Sequence, residues 1–213
     1  MSTASHTATA QTLAPPLVLS PKSRLAYCMA TNADLETTLL GPVLPERDCG
    51  DCTACCTVLT VDTSDFKKPA GTPCINLTSC GCGIHDVRPH ICRTWFCAWR
   101  RVAALPDEAR PDRSGLLVSV NFVREPRNCF EAISLNVKAL AGSDAIASGM
   151  AAAVLDMLCD QLVAVWFSDG ARKMLVHPEN DVAQAVISGD APPAHLADEV
   201  TAWRERYGVF HPT

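Results

Sequence analysis

Nine of the twelve cysteines of this 213-residue chain fall between Cys49 and Cys97. That crowding limits what the segment can fold into. Gly50, Gly71, Pro73, Gly81 and Gly83 punctuate it, so it offers turns and loops rather than long regular elements. Its leading feature is Cys49-Gly-Asp-Cys52-Thr-Ala-Cys55-Cys56, two overlapping CxxC steps that end in a cysteine pair. Each step lets one backbone turn aim two sulfurs at a single ion, at about 2.3 Å for zinc, with N–H groups left free to bond the thiolates.

Thiols in such number either pair as disulfides, bind metal or lie buried unpaired, and the compartment helps decide. Residues 1–16 are polar, small and proline-ended, and Leu17-Val18-Leu19 is too short for the apolar run of about 7–15 residues in a secretory signal. No stretch approaches the roughly 18–20 apolar residues that cross a bilayer. A cytoplasmic location is therefore expected, where disulfides are rare and clustered thiols usually hold metal. Metal ligation is preferred to a disulfide scaffold or to plain buried thiols.

More potential ligands follow at Cys74, Cys80, Cys82, Cys92 and Cys97. Eight thiolates would close two four-cysteine sites, or one four-iron cluster and a further ion, and the segment offers nine. Neighbouring side chains such as Cys55 and Cys56 are expected to point in different directions, which argues for two centres or a multinuclear cluster. Cys92 and Cys97 would diverge by about 140° in a regular helix, so a break in the helix or two separate sites is needed for both to ligate. Cys80 and Cys82 flank Gly81 and would share a side of a strand-like turn. His85 and His90 are weaker nitrogen candidates, as ligands or as partners that orient a ligand. Arg88, Arg93, Lys67 and Lys68 are placed to offset the negative charge of a thiolate site.

The cysteine block, followed by Cys74-x-x-Leu77 and then Cys82-Gly-Ile-His85-Asp-Val-Arg88-Pro89-His90-Ile-Cys92, resembles the CxxCxxCC family of zinc- or iron-chelating proteins. The likeness covers about residues 49–97. It implies Cys49, Cys52, Cys55, Cys56, Cys74, Cys82 and Cys92 as chelators, with Cys97 as an eighth, and zinc or iron, including an iron–sulfur cluster, as the cofactor. His85 stands where the family commonly has Tyr. A similar segment occurs in flagellin lysine methylases, which brings methyl transfer into view as an alternative to a chelating module.

Around this segment, residues 1–23 read as a flexible tail, 24–105 as the metal-binding region and 106–213 as an α+β region, continuous with it or separate. A short helix is expected over 24–40 and helical structure toward the end of 89–101. Strands are expected at 115–123 and more weakly at 130–135, and a helix at 143–160 capped by Ser143. Residues 162–167 and 172–177 flank a hairpin turn, and helices are expected at 180–188 and about 194–207. The expected class is α+β, with the loop-rich segment packed on a small antiparallel sheet. Cys28, Cys129 and Cys159 stand apart as core thiols.

A net charge of −5 and no convincing basic patch argue against nucleic acid as a partner. There is no phosphate loop, dinucleotide fingerprint, nucleophile elbow or HExxH helix, so the pattern names a metal ion as partner and assigns no catalytic residue.

Overall fold

The computed structural model of the chain describes residues 36–37, 40–141 and 149–207. The expected tail 1–23, Cys28, most of the expected helix 24–40 and the cap Ser143 lie outside the described residues. The fold is α+β, as its strand and helix patterns predict.

The cysteine segment is built from short pieces. Helix α1 (Ala54–Val58) follows the CxxC turns, strands β1 (Val61–Asp62) and β2 (Lys67–Lys68) form one hairpin, and β3 (Leu77–Thr78) and β4 (Gly81–Cys82) form another. A 3₁₀ turn at His85–Val87 leads through Pro89 to α2 (His90–Thr94), and a second 3₁₀ turn covers Ala98–Arg100. The predicted helix toward Arg101 is thus interrupted: Trp95 and Cys97 have extended backbone.

Helix α3 (Pro111–Ser114) has Pro at its start, where a missing N–H costs nothing, and ends on Gly115 at φ +75°. The chain then enters β5 (Leu116–Phe122), a short helical turn α4 (Cys129–Ala132) and β6 (Ile133–Ala139). The expected strand at 130–135 starts three residues late because Cys129 and Phe130, 2% and 0% exposed, are drawn into a core as a helical turn. Helix α5 (Gly149–Cys159) precedes β7 (Val165–Ser168) and β8 (Lys173–His177), the predicted hairpin. Its turn is closed by Asp169, whose carboxylate accepts from the backbone N–H groups of Ala171 and Arg172 at 2.9 and 2.7 Å. Helices α6 (Asn180–Ser188) and α7 (Ala197–Tyr207) complete the described chain.

The main sheet has the order β5-β6-β7-β8 and is mixed, since β6 and β7 run parallel while the other pairs are antiparallel. Parallel neighbours need a long crossover, and the segment containing α5 supplies it. Val118 lies opposite Val137, and Val137 opposite Phe167, so one face of the sheet is a continuous apolar layer. Ala151, Val154 and Leu158 of α5 cover that layer, joined by Trp99, Val102 and Leu105 from the end of the cysteine region. A second core gathers Phe130, Trp203 and Tyr207, with ring centroids 5.5–5.6 Å apart. The Tyr207 hydroxyl accepts from Ala164 N–H at 2.7 Å and donates to the Ile133 carbonyl at 3.2 Å.

Strand alternation sends the intervening side chains of β5 the other way. Leu116 and Val118 belong to the main core, whereas Leu117 packs with Ala54 and Val58, and Ser119 also borders the cysteines. Opposite Leu117 in the register, Lys138 donates to the carbonyl of Val58 at 2.9 Å, at the C-terminal end of α1, where a cation complements the unpaired carbonyls. One face of the sheet is thus the floor of the cysteine segment. Arg47 donates to the carbonyls of Trp99, Val102, Ala103 and Leu105 and lies 5.1 Å from the Trp99 ring, which ties down the backbone that leaves the segment.

Candidate metal centre

Eight cysteines line a single cavity of about 290 Å³: Cys49, Cys52, Cys55 and Cys56 from the CxxC block, and Cys74, Cys82, Cys92 and Cys97 from the later turns. These are the eight expected chelators. The ninth thiol of the segment does not join them, because Cys80 sits exposed at the tip of the β3–β4 hairpin while Cys82, on β4, faces the cavity. The two do not share a side.

Local backbone chemistry explains how the sulfurs are gathered. Asp48 accepts from Gly50 N–H at 3.1 Å and Cys52 N–H donates to the Cys49 carbonyl at 2.9 Å, closing the first CxxC turn with Gly50 at φ +53°. Gly81, at φ +107°, lies so close to that turn that a Cβ there would stand 3.0 Å from the Gly50 carbonyl oxygen. The hairpin carrying Cys82 therefore docks against the loop carrying Cys49 and Cys52 only with glycine at this position. Cys74 N–H donates to the Cys56 carbonyl at 2.9 Å, which seats the next loop on α1. The break after Thr94 turns Cys97 back to the cavity alongside Cys92, resolving the angular conflict of a regular helix.

The site holds its own electrostatic partners. Lys68, only 4% exposed, lies in the cavity wall and donates to the carbonyls of Thr57, Pro69 and Thr72 at 3.3, 3.2 and 2.9 Å. Arg88 donates to the carbonyls of Cys92 and His85 and also borders the cavity, as does Arg100. Lys67 instead pairs with Asp62 at the surface, 3.1 Å away, and Arg93 does not border the cavity. His85 lines the cavity with its side chain half exposed; His90 is exposed and outside the lining.

The thiols do not share one environment. Cys55 and Cys56 act on each other: the neighbouring Cys56 thiol, together with burial, drives the pKa of Cys55 up, and Cys55 draws that of Cys56 down. Burial pushes up Cys49 and Cys92, and raises Cys97 to about 11 even though the N–H groups of Arg100 and Trp99 face its sulfur. Burial also raises Cys52, against N–H groups of Ala54 and Asp112 that favour the thiolate. Such N–H to sulfur bonds orient and stabilise thiolate ligands. One more is the Asn76 N–H, 3.5 Å from the Cys74 sulfur.

Sequence reading missed a group that reaches the site from outside the segment. Asp112 is hydrogen-bonded to Cys52, and Arg110 bridges it to Asp51 within the CxxC turn, at 2.6 and 2.7 Å. Burial alone would raise Asp112, but Arg110 outweighs it and holds the carboxylate below its usual range. Nothing in the spacing of residues 110–112 announces this, since the contact spans 59 residues of chain.

All eleven described cysteines are unpaired thiols. Cys129 is buried in the second core and Cys159 packs beside the first, both as expected of core thiols. Among the described residues no three His, Cys, Asp or Glu side chains already converge at ion-binding spacing. The eight cysteines line one cavity without forming a ready-made ion site. Their chemistry fits a borderline-soft ion: thiolates select zinc and iron–sulfur clusters over oxygen-loving cations. Eight thiolates with two divalent ions would leave roughly four negative charges, and Lys68, Arg88 and Arg100 offset most of them. Among the described residues no helix is long and apolar enough to cross a membrane. Comparison of the chain with protein-family models, with curated proteins and with solved structures finds no match.

Proposed function

We propose that the chain is a metal-binding protein whose cysteine segment chelates zinc or iron through Cys49, Cys52, Cys55, Cys56, Cys74, Cys82, Cys92 and Cys97. The observation that carries this reading is that those eight cysteines, separated by up to 48 residues of chain, line one cavity and the ninth does not. The resemblance to CxxCxxCC chelating proteins supports it. The bound ion supplies folding free energy to a segment that has few other means of ordering, so its role is that of a metal-stabilised module. A reducing compartment, the cytosol, keeps the thiols available.

A second reading, an iron–sulfur redox or group-transfer protein, draws on the size and walls of the cavity. At about 290 Å³, with Trp95, Phe96 and Leu117 among its lining, it has room for more than one ion beside an apolar surface. Burial and N–H bonds to sulfur are among the features that tune such clusters.

Anaerobic purification followed by elemental analysis and visible absorption separates the two. Colourless protein with stoichiometric zinc supports the chelating module; brown protein with iron and acid-labile sulfide supports the second reading. Protein with neither metal, able to take up neither after reduction, refutes both.

A further inference from the structure

The first CxxC turn closes on itself, since Gly50 N–H donates to Asp48 and Cys52 N–H to the Cys49 carbonyl. Those bonds shape the turn without saying where it sits on the rest of the chain. Cys52 and Ala54 pack in the apolar group around Leu117, and apolar burial is non-directional. Direction comes from Arg110, 59 residues along the chain from Asp51. Its Nη2 donates to Asp51 Oδ1 at 2.7 Å, and its guanidinium lies against Gly50, where a Cβ would stand 3.6 Å from Nη1. The arginine is itself fixed at both ends. Its fork grips Asp112 twice, Nε to Oδ1 at 2.7 Å and Nη2 to Oδ2 at 2.6 Å, and the side chain is only 14% exposed. Its carbonyl accepts from the N–H groups of Arg113 and Ser114 at 2.9 Å and from the Ser114 hydroxyl at 3.2 Å. Ser114 in turn accepts from the N–H of Leu116, the first residue of β5, at 3.2 Å.

We infer that Arg110 is a positioning residue of the metal site: it ties the turn that carries Cys49 and Cys52 to the first strand of the sheet body, so that both cysteines hold their places on the cavity before an ion arrives. The inference rests on the metal-binding reading above and adds to it a residue from outside the cysteine segment. Arg110 touches no ion. It acts through Gly50 and Asp51 on the two cysteines that flank them. An exposed ion pair ordinarily contributes little, because two long side chains must be ordered to make it. Here the long partner is already ordered by its two bonds to Asp112, and a planar guanidinium held in that way offers its remaining hydrogen in one direction. Asp51, with its short side chain, has only to meet it. Pro111, the next residue, borders the cavity itself, so the arginine is anchored at the edge of the site it serves.

The test uses the full-length chain loaded anaerobically with Co²⁺, read as affinity in competition with a chromophoric chelator and as the visible cobalt spectrum. Asp51→Ala is the decisive variant, because charge and position predict opposite signs for it. Neutral thiols that take up a divalent ion through four sulfurs end with a net charge of about −2, so loss of a neighbouring carboxylate would by charge alone strengthen binding. Positioning predicts binding about 10-fold weaker, with an altered spectrum. Arg110→Met should match it, and the double variant should lose no more than either single one. Arg110→Lys, a point charge in place of a fork, should recover only part of the loss. Urea unfolding of the body should stay near wild type in Asp51→Ala. Binding that holds or tightens in Asp51→Ala with an unchanged spectrum, or losses that add in the double variant, overturns the assignment while leaving metal binding in place. Failure of the wild-type chain to take up cobalt removes the metal-binding reading itself, and this role with it.

Discussion

The segment from Cys49 to Cys97 and the sheet-and-helix body from Leu116 to Tyr207 are held together by different means. The body buries side chains in the ordinary way: Val137, Val165, Val200 and Trp203 are all 0% exposed, and each of its two cores draws on several elements. The cysteine segment buries only Ala54 and Val58 among its hydrophobic residues, its strands are two residues long, and Ile75 and Val87 stand 84% and 78% exposed. Burial at about 25 cal/mol per Å² sustains the first region. It cannot sustain the second, where backbone ordering costs about 1–2 kcal/mol per residue and few apolar contacts offset it. What the second region has in abundance is thiols, and the difference between the two regions is the physical case for an ion.

The largest effect that would break this comparison is metal removal. A strong chelator with reductant should erase hydrogen-exchange protection across 49–97 and leave β5, β6 and β7 protected, because structural zinc supplies about 10–16 kcal/mol to peptides of this kind. Uniform loss, or no loss, would show that the regions do not differ in this way. The converse substitution is Trp203→Ala, which removes a fully buried ring in contact with Phe130 and Tyr207. It should cost about 3–5 kcal/mol in urea unfolding of the body with metal content unchanged.

A smaller effect belongs to the link between the regions. Asp112→Asn removes a negative charge that disfavours the Cys52 thiolate and keeps the backbone N–H that favours it, so metal affinity in competition with a chromophoric chelator should hold or rise modestly while body stability stays near wild type; clearly weaker binding would contradict this. Acid should act on the body through His177. Burial lowers its pKa, and its Nε2 lies 3.0 Å from the Gln161 carbonyl. A histidine held low in the folded state contributes stability that is present above its unfolded value, near 6.5, and lost as pH falls through the folded one. The urea midpoint of metal-loaded protein should therefore drop on acidification below that value, and drop less in His177→Gln. Smallest of all, Cys80→Ser should leave both metal content and stability within about 0.5 kcal/mol of wild type. Metal loss from that variant would place the exposed thiol among the ligands.

Local signals carried much of this architecture. Strand β5 shows in its β-branched alternation, helix α6 ends where Gly189 takes φ +77°, and the β7–β8 turn is announced by Asp169-Gly170. What escaped was set by partners distant in sequence. The parallel pairing of β6 with β7 depends on a crossover, the helical turn at Cys129–Ala132 on a core built largely by α6 and α7, and the burial of Lys68 on carbonyls of α1 and of the turn from Pro69 to Thr72. At the site, the spacing marked nine candidate thiols without deciding on Cys80, and the family resemblance implied the eight that line the cavity. Spacing gave no sign of Arg110 or Asp112, because the Arg110–Asp51 contact that joins them to the CxxC turn spans 59 residues of chain.

X-ray absorption at the metal edge of protein isolated without oxygen tests the central claim most directly. For a zinc-loaded chain the account predicts sulfur alone as the nearest neighbour, four per ion at about 2.3 Å. Nearest neighbours of nitrogen or oxygen at about 2.0–2.1 Å, or no metal edge at all in protein that keeps its fold, would contradict it.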